Sequence, residues 1–95
     1  MIRNIVMVQL KAEADPEVIR TYQADLLALD VPGMIACRIG EDLGLREGNW
    51  SFAVIADFRD VDAYRAYDLD EQHNRLRALL ADQAAQVARL QFESV

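Results

Sequence analysis

The chain is poor in the residues that usually give a protein's chemistry away. Of its 95 residues one is cysteine, one histidine and one lysine, and two are proline. A lone cysteine, Cys37, excludes an internal disulfide. Without a CxxC pair or a Cys/His cluster there is no zinc-binding pattern either. Nothing beside Cys37 would activate a thiolate, so within its apolar strand it reads as a small buried hydrophobe. No run of Lys or Arg exists, and the net charge is −6, from 16 acidic and 10 basic residues. That balance argues against nucleic acid or an anionic membrane surface as partner. No apolar stretch is long enough to span a bilayer. The first residues enter a strand pattern directly, without the lead of a signal peptide, so the expected location is cytoplasmic. What the chain does have is a hydrophobic fraction of 53%, ample for the core of one domain spanning residues 1–95.

The densest stretch is Asn49–Leu80, NWSFAVIADFRDVDAYRAYDLDEQHNRLRALL. Alternation along Trp50, Phe52, Val54, Ala56 and Phe58 gives a strand with one bulky apolar face. Its other face, Ser51, Ala53, Ile55 and Asp57, is half apolar, so the strand needs cover on both sides. Upstream, IRNIVMVQLK is an Ile/Val-rich strand over 2–11. Asp15, Pro16 and Glu17 then form a helix start, as N-cap, first-turn proline and dipole-compatible acid. That helix is expected to run to about Asp30, before Pro32 and Gly33 end it. A second strand is expected over 34–43, with Ile35, Cys37 and Ile39 on one face and Met34, Ala36 and Arg38 on the other. Asp60 caps a short helix through Tyr67, and Asp70 caps a longer one with the stripe Leu76, Leu79, Leu80, Ala84 and Val87. From Ala88 the period falls to two, giving a last strand.

The order is β-α-β-β-α-β, an α+β, ferredoxin-like fold with a four-stranded antiparallel sheet. Right-handed crossovers put the helical segments on one side of it. The other side is left with Ile5, Met7, Ile35, Cys37, Ile39 and Ile55, a patch that monomers seldom expose. Packing against a second copy, sheet to sheet, removes it from water, so a twofold homodimer is expected.

The residues also resemble a known family. MIRNIVMVQLK is similar to the first strand of the stress-responsive A/B barrel (Dabb) family, which typically reads MIRHIVLFKLK. VPGMIACRIGEDL, REGNWSFAVIADF and AYRAYDLDEQHNRL resemble its second strand, third strand and helix-break-helix. The resemblance covers nearly the whole chain and implies a ferredoxin-like protomer that dimerises into an α/β barrel. It also implies a relation to a plant polyketide cyclase that works without a cofactor, in a pocket between helices and sheet. The histidine and tyrosine of that cyclase map onto His73 and, six residues before it, Tyr67. The cyclase branch has further histidines where this chain has Asn4 and Asp70.

Two roles are open for His73. On the sheet-facing stripe with Leu76 and Leu80, in the first helical turn, the imidazole is held neutral and can accept a proton. Beside it the Tyr67 hydroxyl can donate to a developing enolate, and Asn4 can donate without titrating. Alternatively, His73 and Tyr67 are simply packed residues supporting the helix start. Tyr22 and Tyr64 read mainly as core, with Tyr22 a further ligand contact. Trp50 and Phe52 read as pocket wall or core. Arg38 either pairs with a carboxylate or offers a fixed charge to an anionic ligand. Glu41, Asp42, Arg46 and Glu47 are a solvated hairpin surface; a Mg²⁺ site there is no better supported, and no metal or cofactor is expected. The functional expectation is a small hydrophobic pocket that binds or converts a carbonyl-containing or aromatic metabolite by cofactor-free acid/base chemistry. The alternatives are a non-catalytic stress or accessory protein, or a cofactor-free monooxygenase-like member of the dimeric α/β-barrel group. A cavity reaching His73 and Tyr67 favours the first, and one filled by Phe52 and Leu76 the second.

Overall fold

The sheet is built outward from its N-terminal strand. In the computed structural model, which describes residues 1–94, β1 (Ile2–Leu10) lies between β3 (Phe52–Phe58) and β4 (Ala84–Glu93), with β2 (Met34–Glu41) outside β3. Every neighbouring pair is antiparallel. Three helices, α1 (Pro16–Leu27), α2 (Val61–Leu69) and α3 (Glu71–Ala81), cover one face, which is the expected ferredoxin-like arrangement.

The helix starts follow their caps. The carboxylate of Asp15 accepts from Glu17 N at 2.9 Å, and that of Asp60 from Ala63 N at 2.9 Å. Asp70 does double duty: its N–H closes α2 on the carbonyl of Tyr67, and its side chain opens α3 by accepting from His73 N at 2.9 Å. Under the helices the even-numbered residues of β1 and β3 form the core. Val8, Phe52, Val54, Tyr22, Leu26 and Leu80 belong to one cluster, and Ala56, Phe58, Ala63 and Tyr67 to a second.

Several boundaries differ from the sequence expectation. The helix stripe extended to Val87, but α3 ends at Ala81 and β4 begins at Ala84. Ala84 and Ala85 favour a helix locally, yet Leu10 needs a partner across the sheet, and pairing with Ala84 supplies it. Similarly α1 ends at Leu27 rather than near Asp30, and β2 ends at Glu41 rather than at residue 43.

The second correction concerns which way β2 faces. An irregularity between Met34 and Ala36 sets two residues, Ile35 and Ala36, against Asp57 alone. Downstream of it Cys37 pairs with Ala56 and Ile39 with Val54, and both pack beneath the helices rather than on the open face. Ile35 is the extra residue and is exposed. The open face instead carries Ile5, Met7, Ala53 and Ile55, together with Ala88, Leu90 and Phe92 opposite Met7, Ile5 and Arg3. Leu90 is 60% exposed, Met7 43% and Phe92 41%, so this face is bare in the protomer.

Candidate active site

A cavity of about 190 Å³ opens between the helices and the β1/β3/β4 part of the sheet. His73, Tyr67, Tyr22 and Asn4 all line it. His73 and Tyr67 reach it because Asp70 turns the chain between α2 and α3. Their rings stack with centroids 3.7 Å apart and 23° between planes. Both are almost wholly buried, at 6% and 3% exposure.

The tautomer of His73 is set by the backbone. Its Nδ1 lies 2.8 Å from the Tyr67 carbonyl oxygen, which can only accept, so Nδ1 carries the proton and Nε2 keeps a lone pair. Burial is the main cause holding the imidazole below its ordinary pKa, with the Arg77 guanidinium acting in the same direction. The ring is therefore a neutral base near pH 7. Burial likewise raises the Tyr67 phenol far above its usual range and pushes Tyr22 up to about 12, so both hydroxyls stay protonated donors. Neither hydroxyl, nor His73 Nε2, has a hydrogen bond within the described residues. None is sealed from solvent either: among those residues the one buried, unpartnered side-chain N or O is Gln23 Nε2. Polar atoms left unmatched yet reachable are what a ligand site needs. Asn4 is 3% exposed, and its Oδ1 accepts from Gln91 Nε2 at 2.8 Å, which leaves its own amide N–H groups for the cavity.

The other expected contacts lie elsewhere. Phe52 is buried in the core against Tyr22, ring centroids 6.3 Å apart, so it backs the site without filling it. Trp50 is half-buried beside a separate groove that also includes Met7, Gly40 and Ala53. Arg38 pairs with Ile55 on the open face and is exposed. The sequence reading missed Arg77 and Arg89 as site residues, and both line the cavity. Arg77 follows His73 by one helical turn, a spacing that could have marked it. Arg89 stands opposite Val6, a register visible only once β4 is paired. Tyr64, read as core, also lines the cavity.

Comparison with known proteins agrees with this fold. The stress responsive A/B barrel domain (Dabb) matches residues 2–94. The chain belongs to that family. A dimeric ferredoxin-like protein of unknown function from Thermobifida fusca is 30% identical to this Dabb chain; the match covers 98% of this chain and 90% of that one, with a TM-score of 0.89. The hydroxynitrile lyase of Passiflora edulis shares the Dabb chain's fold at 20% identity, over 96% of this chain and 90% of that one, with a TM-score of 0.83. An antibiotic biosynthesis monooxygenase shares it at 21% identity, over 100% and 99%, with a TM-score of 0.81. Among curated proteins none matches. No helix of the described residues is long and apolar enough to cross a membrane.

Proposed function

We propose that this Dabb protein binds a small carbonyl compound in the cavity and moves a proton at the carbon beside the carbonyl, without a cofactor. The observation that carries this reading is the fixed tautomer of His73. A buried imidazole whose Nδ1–H is held by the Tyr67 carbonyl leaves Nε2 unpartnered and reachable on a cavity-lining side chain. In the reaction Nε2 takes the α-proton, and the C–H electron pair becomes a C=C bond. The charge gathering on the carbonyl oxygen is met by the Tyr67 hydroxyl or an Asn4 N–H. Return of a proton from Nε2 completes the turnover. The cavity is smaller than the roughly 300–1,000 Å³ of drug-sized sites, which suits a one-ring metabolite. The same fold carries a hydroxynitrile lyase and a monooxygenase in the proteins named above, so it accommodates small-molecule chemistry.

The assembly proposed with this reading is a homodimer closed over the open face, by way of Ile5, Met7, Ile55, Leu90 and Phe92. The Thermobifida fusca relative is described as dimeric.

Exchange of the α-protons of phenylacetone in D₂O, followed by ¹H NMR, tests the chemistry. The wild type is expected to accelerate exchange over buffer. His73→Ala should lose roughly 10²–10⁴-fold of that rate, the usual contribution of a positioned base. Wild-type exchange no faster than buffer, with no thermal shift from the ketone, would leave the non-catalytic alternative standing.

A further inference from the structure

We infer that the cavity selects for an anion: its ligand carries a carboxylate close to the carbonyl, held by Arg89 with Arg77 beside it. This rests on the small-molecule reading above and names the substrate class for the same site. In a chain where 16 acidic residues outnumber 10 basic ones, the charged side chains lining the cavity are Arg77 and Arg89, and no Asp or Glu lines it. A random pair of charged residues from this composition would far more often include an acid than be wholly basic.

The two guanidiniums are not equivalent. Arg77 is engaged by Asp68 at the end of α2. Arg89 has no carboxylate within ion-pair distance and no side-chain hydrogen bond among the described residues, although it stands on the helix-facing side of β4 opposite Val6. An arginine kept on that side of a sheet, between Val87 and Gln91, has five N–H donors in a planar fork suited to a carboxylate. Its neighbours offer it none. Both arginines are close enough to Tyr22 to oppose the rise of its phenol pKa, which places their charge over the same space that His73 and Tyr67 bound.

The charges also suit the chemistry. A cationic pocket disfavours the imidazolium and so keeps His73 a base, while it draws in and orients an anionic substrate. The carboxylate would sit on the Arg89 side, with the adjacent carbonyl turned toward Tyr67 and Asn4.

The test compares benzoylacetate with its neutral isostere benzoylacetamide, by titration calorimetry on the intact protein at low ionic strength. The acid is expected to bind at least about tenfold more tightly, as suits a hydrogen bond to a charged partner. Arg89→Gln should abolish that preference with little change in affinity for the amide, and Arg89→Lys should restore part of it. Because β4 is exposed at this position, both variants are expected to melt as the wild type does. Equal affinity for acid and amide, or a preference that survives Arg89→Gln, overturns the anion inference; the pocket reading stands if both compounds still shift the His73 ring resonances. Failure of both compounds to bind overturns the two together.

Discussion

A single backbone carbonyl, that of Tyr67, decides what His73 can do. It accepts from Asp70 N at 3.2 Å and from His73 Nδ1 at 2.8 Å, and so closes one helix while fixing the tautomer of a ring in the next. The pH dependence follows with a definite sign. His73 has a folded-state pKa below its ordinary 6.5, so between the two values the unfolded chain binds a proton that the folded chain refuses. Its contribution to stability is full above pH 6.5 and is lost as the pH falls through the folded-state value. The charges facing the ring from both helices, Arg77 against Asp68 and Asp70, partly cancel, and burial dominates. The exchange rate should therefore be flat above about pH 6.5 and decline with an apparent pKa lower than that of free imidazole. A rate–pH profile between pH 4 and 8 checks this, and a midpoint above the ordinary histidine value would contradict it. At this scale the helical phase of the lone histidine, His73, and of Tyr22 was readable from the sequence, Tyr67 and Asn4 came from the family resemblance, and all four line one cavity. Arg89 was not legible, because its role depends on which residue it meets across the sheet.

Among the elements, the connections constrain the fold more tightly than the helices themselves. Gly33, in the turn between α1 and β2, has φ of +86°, and a Cβ there would lie 2.5 Å from that of Ala63. Gly33→Ala is expected to cost at least about 2 kcal/mol, from the left-handed backbone and the overpacking together. Gly44→Ala, at φ +72° but with nothing within 4 Å, should cost only about 1 kcal/mol. Urea unfolding of the two variants separates a backbone effect from a packing one. Caps were readable because Asp15, Asp60 and Asp70 each announce a helix by a local rule. The end of α3 was not. Alanine favours the helix over the strand, and only the demand of β1 for a partner overrides that preference. The extra residue in β2 was equally hidden, since simple alternation carries Cys37 and Ile39 to the wrong side of the sheet.

For the whole molecule the deciding feature is an apolar surface that the helices do not reach. A fork-to-fork pair at 2.8 and 3.0 Å, between Arg3 and Asp57, marks one end of it. That pair holds the Asp57 carboxyl below its usual pKa. Leu90 projects from the same face, so Leu90→Arg should leave the protomer folded while opposing association. Light scattering is expected to give twice the protomer mass for the wild type and the protomer mass for the variant. A wild type already at protomer mass would remove the dimer from the proposal. The need for a second layer was legible from residues such as Ile5 and Ile55. The share of it that β4 supplies, Ala88, Leu90 and Phe92, was not, because which face of that strand is left open depends on its register against β1.

The doubled residue at Ile35 also decides on which side of the sheet the lone thiol lies. By rotating Cys37 inward it puts each thiol behind its own sheet. Facing sheets lie about 10 Å apart, beyond the roughly 7 Å limit for bridging two cysteines. In the proposed dimer, therefore, Cys37 of one copy cannot be bridged to Cys37 of the other.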